Sequence, residues 1–364
     1  MPRLFLFLPH SDEVAMSRGF IQTVLGSIAP ECLGPTLMHE HLIIDLNSPA
    51  QRAKVENYGA LSRKDIDPKD NFKLNWGQKR DIANFRLCDE GVAIDELREM
   101  RAAGGMALVE LTVGGLGPDP LALKRIAEAS GVHVVMGCGH YVDAYQDPDN
   151  ASRPVESFAR EIVGQVATGA WGTDIKAGII GEIGCEYPWK DVERRVLLGA
   201  ILAQNETGAA LTIHPGRHEN QPMEIVGFLR EHGADISRSI ICHLDRTIFD
   251  IETLLRLADT GCILEFDLFG WENACYWPNL DIDLPNDADR LRLVKALLER
   301  GYGDQILLSH DICVKSRLLR YGGHGYQHMF ANIVPLMQRR EIADADIDRI
   351  LTLNPRRLLT QPGR

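Results

Sequence analysis

Short, almost entirely apolar runs recur along this chain, and longer amphipathic stretches separate them. The apolar runs fall at residues 36–45, 107–113, 133–137, 178–184, 209–214, 239–243, 261–267 and 305–311. Because nearly every position in a run is apolar, the pattern predicts eight strands buried on both faces, as in a parallel sheet.

The stretches between these runs carry the signals of helix ends. Residues 286–301 begin with Asn286 and a group of acidic residues, which favour a helix start, and they end on Arg300 and Gly301. A second helix is predicted from 191 to 207, ended by Gly208. Eight strands alternating with helices predict a (β/α)8 TIM barrel, with an open doubly wound sheet as the alternative.

Two connections are longer than is usual between a strand and a helix. One spans roughly 47–87 and the other roughly 269–285, and the second contains Trp271, Tyr276 and Trp277. In a barrel, the loops that follow the strands form the active-site face. These aromatic side chains therefore either wall a substrate pocket or pack their loop onto the barrel.

The chain is interpreted as one domain. Its 364 residues contain no linker rich in Pro, Gly or Ser, so the barrel is expected to span residues 20–364. The apolar run 4–8 is a poor signal peptide because it lacks a small-residue cleavage site. Residues 1–19 are instead expected to form a poorly ordered leader, with Met16 as a possible alternative start.

Charge and cysteine content narrow the function class and the compartment. The net charge of −12 argues against nucleic acid and anionic membrane as partners, because both attract basic surfaces. The eight cysteines contain no CxxC pair, and five lie in or beside apolar runs: Cys138, Cys185, Cys242, Cys262 and Cys313. This usage is typical of reduced, buried thiols and favours the cytoplasm.

The tripeptide His39-Glu40-His41 lies within the first apolar run. Alternate residues of a strand share a face, so His39 and His41 are expected to point one way and Glu40 the other. Two imidazoles fixed on one strand make half of a metal site. Two core histidines that happen to alternate are the alternative.

Four further polar residues end predicted strands: Glu182, His214, His243 and Asp311. They are separated by 32, 29 and 68 residues, which corresponds to one, one and two βα repeats of about 30 residues. All four are thus expected at the same mouth as the histidine pair. Each alone is also compatible with a hydrogen-bonded structural residue, and His310 could replace Asp311 as the ligand.

Four histidines and two carboxylates exceed the three protein ligands that a single catalytic zinc typically takes. The set suits two metal ions that share a bridging carboxylate and a bridging water. A donor set rich in imidazole favours Zn²⁺, with Co²⁺, Mn²⁺ or Fe as substitutes.

The order of these residues resembles the phosphotriesterase family of the amidohydrolase superfamily. The resemblance covers residues 20–364, and its motifs lie at 34–41 (GPTLMHEH), 176–184 (KAGIIGEIG) and 322–326 (GGHGY). Founding members bridge their metals with a carboxylated lysine, whereas this chain has Gly181-Glu182 there. In that respect it is similar to the phosphotriesterase-related branch, which uses a glutamate.

The resemblance implies a role for each donor. His39, His41 and Asp311 would hold one metal, His214 and His243 the other, and Glu182 would bridge them. A bridging hydroxide would attack a carboxylic ester, lactone or N-acyl amide, with phosphoester or phosphotriester hydrolysis as the alternative. Two residues would act as catalytic groups, Asp311 by accepting the proton of the water and Tyr141 by stabilising the developing negative charge.

The remaining expectations concern substrate contacts and assembly. Candidate substrate-binding residues are Tyr141, Trp271, Lys315, Arg317, His324 and Tyr326, and Asp245 is a candidate to orient an imidazole. The resemblance suggests a homodimer. A rival hypothesis is a small-molecule binding protein that keeps the same fold and metal site.

Overall fold

Eight short parallel strands lie at the centre of the computed structural model, which describes residues 19–363. All eight strands that the apolar runs predict are present. Their bounds are β1 Thr36–Glu40, β2 Ala107–Glu110, β3 His133–Met136, β4 Ile180–Gly184, β5 Leu211–His214, β6 Ser239–Ile241, β7 Ile263–Phe266 and β8 Ile306–Leu308. The predicted leader, apart from Gly19, lies outside the described residues.

Backbone hydrogen bonds close these strands into a barrel. Strands β1 to β3 pair in parallel, and so do β4 to β8. The N–H of Gly178 donates to the carbonyl of Met136 at 2.9 Å and joins β3 to β4. The N–H of Asp311 donates to the carbonyl of His39 at 3.2 Å and joins β8 to β1. The architecture is therefore the (β/α)8 barrel and not the open sheet.

One major helix follows each strand on the outside of the barrel. These are α1 Glu90–Ala102, α2 Pro120–Ser130, α3 Val155–Ala167, α4 Asp191–Thr207, α5 Gln221–Glu231, α6 Ile251–Ala258, α7 Asp287–Glu299 and α8 Val334–Arg339. Short helices at Asp344–Asp348 and Asn354–Leu359 complete the carboxyl end. Helix α4 has its predicted bounds, with Gly208 in the left-handed region at φ 72°. Asn286 caps α7 by accepting from the N–H of Asp289.

The core has an inner and an outer layer because side chains alternate along each strand. On β2, Ala107 and Val109 face the barrel interior, whereas Leu108 packs in the outer layer with Leu97 of α1. A hairpin of Ile21–Thr23 and Gly26–Ile28 covers the amino-terminal end of the barrel, where Val24 donates to the Val134 carbonyl. The carboxyl ends of the strands are left as the open face.

The two long loops meet above that open face. The first carries short helices at Pro49–Arg52, Tyr58–Leu61 and Asn71–Asn75 and is tied at its base by the antiparallel strands Ile44–Asp45 and Arg86–Leu87. The ring of Phe85 from this loop lies edge-on to that of Trp277 from the second, with centroids 5.4 Å apart. Contact between the loops encloses a space over the strand ends.

Cysteine placement agrees with the sequence-based expectation. The five cysteines predicted to lie in or beside strands are buried, and all eight cysteine thiols are free. Within residues 19–363, no helix combines the length and apolar character needed to cross a membrane.

Candidate metal centre

The six predicted donor side chains converge at the carboxyl ends of β1, β4, β5, β6 and β8, around the carboxylate of Glu182. Its Oε1 lies 3.0 Å from His243 Nε2 and 3.7 Å from His39 Nε2, and it also contacts His214 Nδ1. Its Oε2 lies 4.0 Å from His41 Nε2. Asp311 Oδ1 completes the group, 3.3 Å from His41 Nε2 and 3.9 Å from His39 Nε2. Glu182 thus lies between two pairs of histidines.

Strand alternation separates the neighbours in each motif as expected. Glu40 points away from His39 and His41 and accepts hydrogen bonds from the Ser309 hydroxyl and the His310 backbone N–H. The His310 ring lies 2.7 Å from Glu40 through Nδ1, and its Nε2 accepts from the N–H of Met329. Because both of its nitrogens are engaged there, His310 faces away from the centre and Asp311 faces it.

Two donors adopt a backbone conformation that is unusual for non-glycine residues. His243 has φ 55° and Asp311 has φ 48°, both in the left-handed region. Such a conformation costs about 1–2 kcal/mol for an L-residue. It ends β6 and β8 abruptly and turns both side chains toward the barrel mouth.

Asp267, which is not among the predicted site residues, hydrogen-bonds the imidazole of His243 and lies beside that of His39. Its carboxylate lies 2.7 Å from His243 Nδ1, accepts from the His243 N–H at 3.0 Å, and lies 3.2 Å from His39 Nδ1. The signal was present, because Asp267 ends the predicted strand 261–267 just as the other donors end theirs. Asp245, the residue expected to orient an imidazole, instead pairs with Arg290 at 2.8 Å and contacts no imidazole.

The electrostatics favour a charged Glu182 and a neutral His214, whereas burial works against charge on His39 and His243 but neighbouring acidic groups raise the pKa of both imidazoles. Burial alone would raise the pKa of Glu182, but the imidazoles of His214, His39 and His243 hold that pKa well below its usual range. Burial lowers the pKa of His214, which keeps its ring neutral with a lone pair free to bind a cation. Burial also raises the pKa of Tyr141 well above its usual value, so its phenol stays protonated.

The arrangement fits a pair of divalent cations. His214 Nδ1 and His243 Nε2 lie 2.9 Å apart and both face Glu182 Oε1, so lone pairs crowd together unless a proton or cation lies between them. His39 Nδ1 lies beside Asp267 but outside hydrogen-bond geometry, so both of its buried ring nitrogens lack a hydrogen bond. Two overlapping groups each bring donor atoms within 4.8 Å of one another: His39, Glu182 and His243, and His39, His41 and Asp311.

A cavity of about 940 Å³ opens directly over these donors. Three of the predicted substrate-contacting residues line it, namely Tyr141, Trp271 and Arg317, and so do Tyr276 and Trp277. The Tyr141 ring lies edge-on to that of His214, with centroids 4.9 Å apart. The guanidinium of Arg317 stacks 4.0 Å over the Trp271 ring. The aromatic loop therefore walls the cavity, as one of its two interpretations predicted.

The structure does not bring the other three candidate substrate contacts to this cavity. The ammonium of Lys315 donates to the carbonyl of Lys64, and the Tyr326 hydroxyl donates to the carbonyl of His41. His324 packs under Gly270. These side chains support the loop backbone from behind, where no substrate atom in the cavity reaches them.

Two arginines that the sequence analysis passed over do line the cavity: Arg217 and Arg246. Each follows a predicted metal ligand by three residues, in His214-Pro215-Gly216-Arg217 and in His243-Leu244-Asp245-Arg246. This three-residue spacing, repeated after the ligands of β5 and β6, is the sequence signal that could have identified both arginines.

Comparison with known proteins agrees with the geometry. The model of the phosphotriesterase family matches residues 19–359. The N-acetyltaurine hydrolase of Homo sapiens is 44% identical over 352 residues, which covers 94% of this chain and 98% of that protein. A phosphotriesterase-related protein of Nematostella vectensis is 40% identical and covers 95% of this chain and 99% of its own length.

Among solved structures, a resiniferatoxin-binding protein from Rhodobacter sphaeroides superposes with a TM-score of 0.86 at 34% identity, covering 94% of this chain and 95% of that one. This similarity extends over nearly the whole of both chains.

Proposed function

Because this chain belongs to the phosphotriesterase family, we propose that it hydrolyses small N-acyl amines, N-acetyltaurine among them, at a pair of zinc ions. The chain is a metal-dependent hydrolase of acyl amide or ester bonds. The observation that carries the proposal is the convergence of four imidazoles and two carboxylates around Glu182 beneath an open cavity. The high identity to N-acetyltaurine hydrolases over nearly their full length supports the amide substrate.

The proposed ligands divide between the two ions. His39, His41 and Asp311 would hold one ion, His214 and His243 would hold the other, and Glu182 would serve as a ligand to both. When bound, such a pair of ions polarises a carbonyl oxygen and lowers the pKa of water toward neutrality. Zinc is preferred because imidazoles dominate the donor set.

Asp311 moves the proton in this proposal. Its side chain is 17% exposed, the largest exposed fraction among the donors, so it faces the cavity where water and substrate meet. Asp311 accepts a proton from the attacking water and delivers it to the amine nitrogen as the C–N bond breaks.

Two other side chains prepare the substrate. Tyr141 stays protonated and donates a hydrogen bond toward the charge that develops on the carbonyl oxygen. Trp271, which is 7% exposed, forms an apolar wall that keeps bulk water from the reacting carbonyl.

The relevant compartment is the cytoplasm. Eight free thiols, five of them buried, support this assignment because unpaired cysteines persist where the environment is reducing.

A second candidate function is ligand binding without turnover. The similarity to the resiniferatoxin-binding protein and the aromatic wall of Trp271, Tyr276 and Trp277 favour it. In that case the metal pair would be structural and the cavity would hold a bulky apolar molecule.

A substrate panel with a matched variant tests the proposal. Zinc-loaded protein is offered N-acetyltaurine, N-acetyl amino acids, a lactone and a phosphotriester, and His243→Ala is compared with His232→Ala, which removes an exposed imidazole from the end of α5. We expect the zinc-loaded wild type to hydrolyse the amides. The rate is expected to fall at least about 10³-fold in His243→Ala, together with the loss of a metal ion, and to stay unchanged in His232→Ala. Full activity of His243→Ala after loss of a metal ion, or no turnover of any panel member by loaded protein, would contradict it.

A further inference from the structure

The cavity lining of this acidic protein holds as many cationic as acidic residues, but the described cations are not paired with the carboxylates. The chain carries a net charge of −12, yet five cationic residues line the cavity: Lys54, Arg80, Arg217, Arg246 and Arg317. Apart from Glu182 and Asp311, the acidic residues of the lining are three: Asp81, Glu186 and Asp281. Among the described residues, none of the five cations lies within 4.0 Å of a carboxylate. Low-dielectric walls focus the field of such charges and attract an anion.

Arg217 is the cation whose donors are most available. Its side chain is exposed to the cavity, and its Nε donates to the Tyr276 hydroxyl at 3.1 Å. Within residues 19–363, its Nη1 and Nη2 make no hydrogen bond to the protein. The phenols of Tyr276, Tyr141 and Tyr145 are among the groups near it. A planar guanidinium with two free nitrogens suits a carboxylate or sulfonate.

The position of Arg217 relates it to the proposed reaction. It follows His214 by three residues, and Tyr141 lies near both, with its ring 4.9 Å from that of His214. Arg246 adds a second cation on the same side, with Nη2 3.2 Å from His214 Nε2 and 3.1 Å from the Pro215 carbonyl. An anionic group held by Arg217 would therefore lie on the His214 side of the donor cluster, near Tyr141.

We propose that Arg217, held in place by Tyr276, is an anion subsite that binds a sulfonate or carboxylate on the amine side of the substrate. This inference rests on the proposed amide hydrolysis and specifies which amide substrates the site prefers. The enzyme selects N-acyl amines whose amine portion is negatively charged, because a cavity-facing guanidinium without a carboxylate partner within 4.0 Å is free to pair with an anionic ligand. Neutral amides of the same shape leave that charge unpaired and bind less well.

Three substrates of matched shape separate charge from size. N-acetyltaurine carries a sulfonate, N-acetyl-β-alanine carries a carboxylate, and the primary sulfonamide of N-acetyltaurine is neutral. They are tested on zinc-loaded wild type, Arg217→Gln and Arg160→Gln, which removes the same charge from an exposed position on α3. In Arg217→Gln we expect kcat/KM to fall about 10- to 100-fold on the anions, mainly through KM, as for loss of a charged hydrogen bond. On the sulfonamide it stays within about threefold of wild type.

The two acidic substrates also identify the preferred group. A larger loss on N-acetyltaurine assigns the subsite to sulfonates, a larger loss on N-acetyl-β-alanine assigns it to carboxylates, and equal losses assign it to both.

Calorimetric binding gives a readout that does not depend on turnover. Propanesulfonate and propanesulfonamide are titrated into the same zinc-loaded proteins. We expect the Kd of the sulfonate to rise about tenfold or more in Arg217→Gln and to stay at the wild-type value in Arg160→Gln. A folded Arg217→Gln protein that keeps wild-type kcat/KM on both anions and wild-type affinity for propanesulfonate would overturn the subsite while leaving amide hydrolysis intact. Loss of turnover on all three substrates by wild type would instead refute the proposed function.

Discussion

Asp267 links the orientation of two proposed ligands that come from different strands. It accepts from the backbone N–H of His243, lies 2.7 Å from the Nδ1 of the same residue, and lies 3.2 Å from His39 Nδ1. A carboxylate on Nδ1 fixes the tautomer, so that Nε2 carries the lone pair toward the centre. Although burial works against its charged form, the facing imidazoles keep the pKa of Asp267 below its ordinary value.

Replacing Asp267 with Asn is expected to weaken the metal centre without unfolding the barrel. The amide keeps the shape but loses the charge that holds both rings, and such changes behind a ligand typically reduce metal affinity or activity about 10- to 100-fold. Metal content after dialysis and kcat on N-acetyltaurine measure the effect.

Asp245→Asn is the matched control for this change. It alters a carboxylate that is equally buried but paired with Arg290 at 2.8 Å and not with an imidazole. We expect wild-type metal content with a loss of about 1.5–3 kcal/mol in the free energy of unfolding, because the buried guanidinium of Arg290 loses one charged hydrogen bond and keeps its other partner, Asp287. Equal metal loss in both variants would show that Asp267 has no specific orienting role.

The difference between these two aspartates shows what the sequence can predict at this scale. Four of the donors were identifiable because each ends a strand in phase with the βα repeat, and His39 and His41 because they alternate within the first apolar run. Asp245 was chosen over Asp267 because it is close to His243 in sequence, whereas the residue that reaches the imidazole comes from the next strand. Arg217 escaped notice for a related reason, since its role depends on a loop conformation that brings it to Tyr276.

At the scale of elements, the loop after β3 is anchored to helix α3 through Glu161. The carboxylate of Glu161 lies 2.5 Å from Arg153 Nη2 and 3.2 Å from His140 Nε2. His140 directly precedes Tyr141, so this contact fixes the segment that presents Tyr141 to the cavity. Burial opposes the charge of Glu161, but His140 and Arg153 lower its pKa from 4.5 to about 2.

Glu161→Gln is expected to destabilise the protein in a pH-dependent way. A carboxylate whose pKa is lower in the folded state stabilises it above the unfolded value of 4.5, and the contribution is lost as the pH falls toward about 2. The full linkage would be about 3 kcal/mol, which partial exposure reduces to about 1–2 kcal/mol at pH 7. Urea unfolding of variant and wild type at pH 7 and pH 3 measures it, and the difference is expected to shrink at the lower pH.

Glu156→Gln on the same helix provides the control, because Glu156 is exposed and makes no side-chain contact among the described residues. Its effect is expected to stay within about 0.5 kcal/mol. A stability loss in Glu161→Gln that is as large at pH 3 as at pH 7 would show that shape, and not charge, sets the contribution.

Regular elements were more predictable than the loops between them. The bounds of α4 followed from Gly208, and the apolar runs located all eight strands. The amino-terminal hairpin was missed because its strands have only three residues each, too few for a periodic signal. The conformations of the two long loops depend on contacts such as Phe85 with Trp277, which join residues far apart in the sequence.

At the scale of the whole molecule, the donor cluster connects five of the eight strands. Its residues come from β1, β4, β5, β6 and β8, which lie in both parallel groups of the barrel. The lone pairs of the imidazoles and the two carboxylates therefore meet where the strand groups β1–β3 and β4–β8 join to close the barrel. Divalent cations would convert this repulsion into cross-links between strands, so metal binding and barrel stability are expected to be coupled.

Removing the metals is therefore expected to lower the melting temperature of the entire barrel. A ligand at 100 times its Kd stabilises the folded state by about 2.7 kcal/mol per site. For two sites in a large domain, this corresponds to a shift in Tm of roughly 5–10 °C. Calorimetric scans of chelator-treated protein before and after addition of zinc measure the shift, and wild type is expected to reach its upper limit at two equivalents. His243→Ala is expected to recover only part of it. Coincident melting curves for chelated and zinc-loaded wild type would show that the cluster is already relaxed without cations, and that no coupling exists.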